Sequence, residues 1–151
     1  MQTLDVDNLA AFFVDGPAGS GKTFLYRALL AAVRSKHMIA LAVASSGVSA
    51  SLLPGGRTAH SRYKLPIIVE DEACTISKQS VYARVIMAAK LIIWDEASMA
   101  HRKSVEAVDS LLRDLMENNL PFGGKTIVFG GDYRQTIPIT IGGSRSDAID
   151  A

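Results

Sequence analysis

The feature that most constrains the fold of this chain is a glycine-rich loop between an apolar run and a helical pattern. The loop reads Gly16-Pro17-Ala18-Gly19-Ser20-Gly21-Lys22-Thr23 and matches G-x-x-x-x-G-K-[ST]. The apolar run at 11–14 predicts a buried strand, and residues 22–35 have the apolar spacing of a helix. A strand, this loop and a helix in that order are typical of a phosphate-binding loop in an α/β fold.

The residue types in the loop suit a nucleotide. Glycines at three positions let backbone N–H groups curl around an anion, and the following helix presents its positive end to that anion. Lys22 can reach the β- and γ-phosphates, and the Thr23 hydroxyl can ligate Mg²⁺. The loop therefore predicts a site for a nucleotide together with Mg²⁺, and the candidate binding residues are Gly16, Gly19, Ser20, Gly21, Lys22 and Thr23.

Further strands and helices alternate along the chain. Apolar runs at 38–44, 90–94 and 126–129 predict buried strands, and helices are predicted at 47–53, from Ser77 or Ser80 to about Ala89, and at 101–118. Strands that are apolar throughout and alternate with helices predict a parallel sheet with helices on both faces, as in a P-loop NTPase. No domain boundary or repeat is visible, and ligands of such sheets bind beyond the carboxyl ends of the strands.

Two carboxylates follow the apolar run at 90–94. Asp95 and Glu96 come directly after Leu91-Ile92-Ile93-Trp94, so a buried strand would bring them close to the phosphate loop. Asp95 can then hold Mg²⁺, directly or through a water, and Glu96 can polarise an attacking water as general base. Two solvated acids at a strand end are the alternative, which the phosphate loop upstream disfavours.

The last predicted strand also ends in polar residues. Residues 126–129 lead into Gly130-Gly131-Asp132-Tyr133-Arg134-Gln135. Gln135 could sense the γ-phosphate by hydrogen bonding to a phosphate oxygen or to the attacking water. An ordinary turn built from Gly, Gly and Asp explains the spacing equally well.

The charge of the chain is unevenly distributed. The net charge is only +1, with 16 Lys and Arg against 15 Asp and Glu, but no acidic residue lies between Gly16 and Val69. That stretch carries seven basic residues, of which Arg57, Arg62 and Lys64 flank Thr58, His60 and Ser61. A segment that follows nucleic-acid phosphates has this composition, although a solvated basic loop has it too.

Several classes of protein are disfavoured by composition. With Cys74 as the single cysteine, an internal disulfide framework is excluded and a reducing compartment is expected. The first residues are acidic and do not form a signal peptide, and the longest uncharged run contains too many Ser, Gly and Pro residues to span a membrane well. We therefore expect no membrane partner.

Four segments together resemble a known family. GPAGSGKT, AVASSGVSASLLPGGRTAHSRYKLP, LIIWDEASM and FGGKTIVFGGDYRQTIPI occur in this order and are similar to motifs I, Ia, II and III of the petite-integration-frequency (PIF) family of DNA helicases, including the helicases of Helitron transposons. The resemblance covers about residues 12–143, and the GGRTAHS and GGDYRQ segments are its most specific parts.

The resemblance implies a RecA-like fold, Mg²⁺-dependent ATP hydrolysis, and 5′-to-3′ movement on single-stranded DNA in DNA repair, recombination and telomere maintenance. It implies a location in the nucleus, with the mitochondrion as a further one. Lys22, Glu96 and Gln135 resemble the family's catalytic residues, and Thr23 and Asp95 its Mg²⁺ residues. The residues that fall in or near the segment resembling the DNA-contacting motif Ia are Ser45, Ser46, Gly47, Arg57, Thr58, His60, Ser61 and Arg62.

The resemblance also implies parts that this sequence does not contain. The family carries motifs IV, V and VI on a second RecA-like domain, which supplies an arginine to the transition state. Residues 1–151 are thus predicted to be a single motor domain whose second motor domain is missing. A non-catalytic fragment that binds nucleotide and single-stranded DNA without unwinding it is the principal alternative. A small-molecule P-loop kinase fits the length, but no Arg-rich lid segment is found.

Overall fold

The computed structural model describes residues 11–66, 76–132 and 134. Its described strands form one sheet in which every pair of neighbours is parallel, in the order β1-β5-β4-β2-β3. The strands are β1 (Ala11–Asp15), β2 (Ile39–Ala44), β3 (Arg57–Thr58), β4 (Ala89–Asp95) and β5 (Thr126–Gly131). The predicted α/β fold with a parallel sheet is confirmed.

Five α-helices connect the strands in the described part of the chain. They are α1 (Lys22–Ser35), α2 (Gly47–Ser51), α3 (Ala59–Tyr63), α4 (Val81–Ala88) and α5 (Arg102–Met116). Ser80 begins α4, because its side chain accepts a hydrogen bond from the backbone N–H of Ala83, whereas the Ser77 hydroxyl accepts only from Gln79. β3 and α3 are short and were not predicted, since two and five residues are too few to show a period.

The core lies on both faces of the sheet. Alternate residues of β2 and β4 point to opposite faces, and both sets are buried. Leu41, Val43, Ile92 and Trp94 belong to the cluster that packs against α3, α4 and α5. Ala40, Ala42, Leu91 and Ile93 belong to the cluster that packs against α1. The prediction that helices cover both faces is therefore confirmed.

Strand β1 differs from its prediction. Its sequence AFFV predicts a buried strand, yet Phe12 and Phe13 are 42% and 51% exposed. The reason is position, because β1 lies at the edge of the described sheet and pairs only with β5 among its strands. Central strands become buried by having neighbours and helices around them, which an apolar sequence alone does not guarantee.

A buried lysine joins α4 to the sheet. Lys125 donates hydrogen bonds to the carbonyls of Met87 and Ala89, where α4 passes into β4. Burial lowers the pKa of this amine to about 8, and the positive charge of Lys90 adds to the effect. Across the described residues, no helix is both long enough and apolar enough to span a membrane.

Candidate nucleotide-hydrolysis site

The glycine-rich loop connects the end of β1 to the first turn of α1. Gly19 and Gly21 have φ angles of 81° and 88°, a left-handed conformation that residues with a side chain seldom adopt. Gly21 occupies the N-cap position of α1 and offers no side-chain cap, and no acidic residue lies in the first turn. The N–H groups at this helix end thus remain available to an anion, which the helix dipole also attracts.

The Lys22 side chain folds over the loop. Its Nζ donates to the carbonyls of Gly16 and Pro17 and lies 3.5 Å from the Ser20 hydroxyl. A Cβ on Gly16 would lie 2.7 Å from the Ser20 oxygen, so only glycine fits there without displacing that side chain. The loop therefore gathers an ammonium group, a hydroxyl and free N–H groups, a donor set that suits phosphate oxygens.

Asp95 and Glu96 stand at the carboxyl end of β4. Asp95 is 8% exposed, and its Oδ1 accepts a hydrogen bond of 2.9 Å from the backbone N–H of Glu96. Burial raises the pKa of the Asp95 carboxyl, and that hydrogen bond and the positive charge of Lys22 act in the opposite direction. The influence of Lys22 on Asp95 agrees with the prediction that the acid pair and the phosphate loop are neighbours.

The backbone of Glu96 is in the left-handed region, with φ 53° and ψ 36°. Few residues other than glycine adopt this conformation, and those that do are concentrated at functional sites. The turn directs the Glu96 side chain towards the end of β2, where its Oε2 accepts a hydrogen bond of 3.0 Å from the Ser46 hydroxyl.

A second contact joins the ends of β2 and β4. The Ser45 hydroxyl accepts a 3.1 Å hydrogen bond from Nε1 of Trp94, and the Ser45 N–H donates to the Asp95 carbonyl. Trp94 is buried and lies near Tyr63 and Phe129, in agreement with the buried strand predicted at 90–94.

The end of β5 completes the arrangement. A Cβ on Gly131 would lie 2.6 Å from the Ser98 hydroxyl, so the absence of a side chain lets β5 approach the turn that follows Glu96. Asp132 follows at the edge of the same cavity. Gln135, the predicted γ-phosphate sensor, lies outside the described residues, so its role stays a prediction.

These elements enclose one open cavity of about 550 Å³. Its size falls in the range of small-molecule sites, and its walls come from the phosphate loop, α2, the acid pair and the end of β5. The lining residues are Ala18, Gly19, Gly21, Lys22, Thr23, Ser49, Leu52, Asp95, Glu96, Ser98, Met99, Gly131 and Asp132. The predicted residues Lys22, Thr23, Asp95 and Glu96 therefore meet in one place.

The donor set at the cavity fits Mg²⁺ held together with a phosphate. Within the described ranges, no three His, Cys, Asp or Glu side chains come together as a complete metal cage. Mg²⁺ commonly uses one or two protein oxygens and completes its shell with phosphate and water. The Thr23 hydroxyl and the Asp95 carboxylate, which line the same cavity, could supply such oxygens.

The eight predicted DNA-binding residues divide into two groups. Three have side chains that are used inside the protein: Ser45 with Trp94, Ser46 with Glu96, and Thr58 as the cap of α3. Gly47, Arg57, His60 and Ser61 are exposed, and Arg62 is half-buried.

The basic residues around β3 lie close to one another. Burial lowers the pKa of the Arg62 guanidinium, and the positive charges of Arg57 and Arg34 lower it further. Its Nη2 donates to the Gly55 carbonyl, whereas among the described residues its buried Nε finds no acceptor. A cluster of like charges with an unused donor is a local environment that an anion would stabilise.

Some lining residues were not found from the sequence. Ser49, Leu52, Ser98 and Met99 border the cavity but belong to no predicted catalytic or binding set. Only their position in the sequence could have indicated them. Ser98 and Met99 follow the acid pair by two and three residues, Ser49 lies on α2, and Leu52 directly follows that helix. Those ends meet because parallel strands present their carboxyl ends at one edge of the sheet.

Similar proteins have been described in several organisms. The ATP-dependent DNA helicase Pif1 of Psychrobacter sp. (strain PRwf-1) is 31% identical over 139 residues, which are 90% of this chain and 20% of that protein. The ATP-dependent DNA helicase Pif1 of Bdellovibrio bacteriovorus is 35% identical over 136 residues, or 88% of this chain and 30% of that protein. This chain thus spans well under half the length of these relatives.

Solved structures agree with this similarity. A Bacteroides Pif1 bound to single-stranded DNA superposes with a TM-score of 0.76 at 29% identity, over 93% of this chain and 32% of that one. Bacteroides Pif1 in complex with ADP-AlF3 and single-stranded DNA gives a TM-score of 0.78 at 28% identity, over 97% and 33%. The fold is RecA-like. Since the family model for PIF1-like helicases also matches residues 2–151, the chain belongs to the PIF1-like helicase family.

Proposed function

We propose that this chain is a motor domain of an ATP-dependent DNA helicase, which hydrolyses ATP with Mg²⁺ and couples hydrolysis to 5′-to-3′ movement on single-stranded DNA. The observation that carries the proposal is the single cavity in which the phosphate loop, the acid pair and the end of β5 converge. Membership of the PIF1-like helicase family supports it.

Each residue of the site has a defined part in the proposal. The α1 N-terminus and Lys22 bind the phosphates, and Thr23 and Asp95 hold Mg²⁺, which supplies charge neutralisation to the transferring phosphoryl group when bound. Glu96 accepts the proton of the attacking water, because it is the second carboxylate of the pair at the end of β4 and Asp95 is the one that holds Mg²⁺. Gln135 reports the state of the γ-phosphate.

We further propose that residues 1–151 form one RecA-like motor domain and that a second motor domain works opposite it. An arginine from the second domain would stabilise the transition state, an effect worth about three to five orders of magnitude in related phosphoryl transfers. DNA repair, recombination and telomere maintenance are the processes proposed for the complete motor, with a location in the nucleus and also the mitochondrion.

The nucleotide site can be tested by two substitutions that separate binding from chemistry. Lys22→Ala should weaken ATP binding at least tenfold and abolish hydrolysis, since it removes the ammonium group from the loop. Glu96→Gln should keep the affinity and lower turnover by about 10²- to 10⁴-fold, because an amide cannot accept the proton. Lys36→Ala, on the exposed end of α1, is the matched control. Normal turnover by Lys22→Ala would refute the site.

The single-stranded DNA surface is proposed to include the segment that runs from β3 into α3. Arg57, His60 and Ser61 are exposed there, and Arg62 has an unused buried N–H. Arg57→Ala should weaken binding of oligothymidine and reduce the slope of log K against log salt by about 0.7, the value for one lost phosphate contact on a single strand. Arg84→Ala, on exposed α4 sequence, should change neither quantity, and equal losses in both variants would contradict the surface.

A second candidate function is that of a non-catalytic fragment. It is supported by length, because the chain covers at most about a third of the relatives and solved structures described above. In this alternative the chain binds nucleotide and single-stranded DNA but does not hydrolyse or unwind. An ATPase assay of the 151-residue chain with and without DNA separates the two, because the alternative predicts binding of both ligands with no phosphate release in either condition.

A further inference from the structure

A serine on the buried side of α2 stands at the wall of the nucleotide cavity. Ser49 is only 6% exposed, and it borders the same cavity as Glu96. Its hydroxyl oxygen lies 3.1 Å from the hydroxyl oxygen of Ser46, the N-cap residue of α2. Among the residues that the structure describes, Ser46 is the only hydrogen-bond partner of the Ser49 hydroxyl. A buried hydroxyl with spare bonding capacity thus lies beside the proposed site of hydrolysis.

Ser46 connects this hydroxyl to the proposed general base. The Ser46 hydroxyl lies 3.0 Å from Oε2 of Glu96. A serine hydroxyl has one proton, and a hydrogen bond to a carboxylate is stronger than one between two neutral hydroxyls, so the Ser46 proton goes to Glu96. The proton between the two serines therefore comes from Ser49. The three side chains form a series of hydrogen bonds in which every proton points towards the carboxylate.

This direction of the protons determines what Ser49 offers to the cavity. Because its proton is given to Ser46, the Ser49 oxygen presents lone pairs to a ligand and has no proton left for it. Phosphate oxygens are themselves acceptors and do not suit such a group. A water molecule has two protons to donate and does suit it. On Glu96, Oε2 accepts from Ser46, and Oε1 is the oxygen that can take a proton from water.

We infer that Ser49 holds the attacking water in place together with Glu96; this inference rests on the proposed function. One proton of the water bonds to the Ser49 oxygen and stays on the water oxygen. The other proton passes to Oε1 of Glu96 as the water oxygen forms a bond to the γ-phosphorus. The bond from that phosphorus to the bridging oxygen breaks, and ADP leaves with the electron pair. Two acceptors on one water direct its lone pair at the phosphorus.

The helix offers a matched pair of variants for the test. Ser49→Ala removes only the hydroxyl, and α2 should persist because alanine is the better helix former. Ser51→Ala makes the same change two residues later on the same helix. The Ser51 side chain is exposed, donates to the Val48 carbonyl, and does not belong to the lining of the cavity.

ATP turnover by the 151-residue chain is the first measurement. Ser49→Ala should lower kcat about five- to tenfold and change KM by less than about twofold, because the contact with water matters only for the chemical step. Ser51→Ala should behave as the parent. A weaker affinity for ATP would assign Ser49 to the phosphates, and a higher Mg²⁺ requirement would assign it to the metal. Either result, an unchanged kcat, or equal losses in the two variants would overturn the inference.

Aluminium fluoride provides a readout that does not require hydrolysis, because with ADP it mimics the phosphoryl group under attack by water. Ser49→Ala should weaken the binding of ADP with aluminium fluoride about five- to tenfold and leave the binding of ADP alone unchanged. The loss should persist in a Glu96→Ala background, where an indirect effect through Ser46 has no carboxylate to act on. No loss in that background would show a merely structural role and refute the inference.

Failure of the inference and failure of the proposed function give different results. If the parent chain hydrolyses ATP and Ser49→Ala does so equally well, only the inference fails. If the parent hydrolyses no ATP but binds ADP more tightly with aluminium fluoride, the proposed hydrolysis fails while the comparison of variants still decides the role of Ser49. A parent that neither hydrolyses ATP nor gains affinity for ADP from aluminium fluoride refutes both.

Discussion

The hydroxyl of Tyr26 lies against the backbone of Gly130, so close that a Cβ atom on Gly130 would stand 1.6 Å from it. Tyr26 is fully buried in α1, the helix that follows the phosphate loop, and Gly130 is near the end of β5. The two elements that carry the loop and the GGD segment are thus packed together without room for a methyl group.

The contact predicts that Gly130→Ala destabilises the fold. The added methyl group would displace either the buried Tyr26 ring or β5, and overpacking of this kind costs about 1–3 kcal/mol. The free energy of unfolding in urea, followed by circular dichroism, measures the loss. Gly47→Ala is the control, because a Cβ at that position meets no atom within 4 Å. Identical urea midpoints for Gly130→Ala and the parent would contradict the packing.

The phosphate loop and the acid pair could be predicted from the sequence because each is a short local pattern beside an apolar strand. Lys22, Thr23, Asp95 and Glu96 do line one cavity. The contact between Ser46 and Glu96 could not be predicted, since it depends on how β2 and β4 lie next to each other. The exposure of Phe12 likewise depends on the order of the strands, which no local pattern encodes.

The basic residues between Gly16 and Val69 are a further case in which a local pattern does not predict tertiary contacts. Arg27 and Arg34 are two of the seven basic residues between Gly16 and Val69. In the structure both donate to backbone carbonyls: Arg27 to Leu52, and Arg34 to Pro54 and Ala40. Both arginines therefore hold the segment between α2 and β3 against α1, and the number of charges available for DNA is smaller than the composition indicates.

Removal of one of these arginines should loosen that segment. Arg34→Ala leaves the Pro54 and Ala40 carbonyls without their donor, and we expect a loss of about 1–3 kcal/mol in the free energy of unfolding. Urea denaturation measures this, and amide hydrogen exchange should rise at residues 52–56. Lys36→Ala, two residues along in exposed sequence, is the charge-matched control and should change stability by less than about 0.5 kcal/mol. Equal losses in the two variants would show that general charge, not these hydrogen bonds, matters.

The hydrogen bond between Trp94 and Ser45 gives a third prediction. Ser45→Ala leaves the buried Nε1 without its acceptor, which should cost about 1–3 kcal/mol. Trp94 is the only tryptophan of the chain, so its fluorescence reports unfolding in urea directly. Ser35→Ala is the matched control, since the exposed Ser35 hydroxyl bonds only to the Ala32 carbonyl one turn earlier. A Ser45→Ala midpoint equal to that of Ser35→Ala would refute a structural role for the bond.

The buried amine of Lys125 predicts a dependence of stability on pH. Its pKa is about 8 in the folded chain and near the ordinary 10.5 in the unfolded chain, because burial penalises the charged form. Between these values the unfolded chain binds more protons, so the Lys125 contribution to stability rises with pH by about 1 kcal/mol per unit and is constant below about 8. The free energy of unfolding is measured by urea denaturation for the parent and for Lys125→Met at about pH 7, 8.5 and 9.5. The value for the parent minus the value for the variant should rise with pH. Lys103→Met, which changes an exposed lysine on α5, is the control: the free energy of unfolding of the parent minus that of this variant should not change with pH. If the difference between the parent and Lys125→Met does not change with pH either, the shifted pKa of Lys125 is disproved.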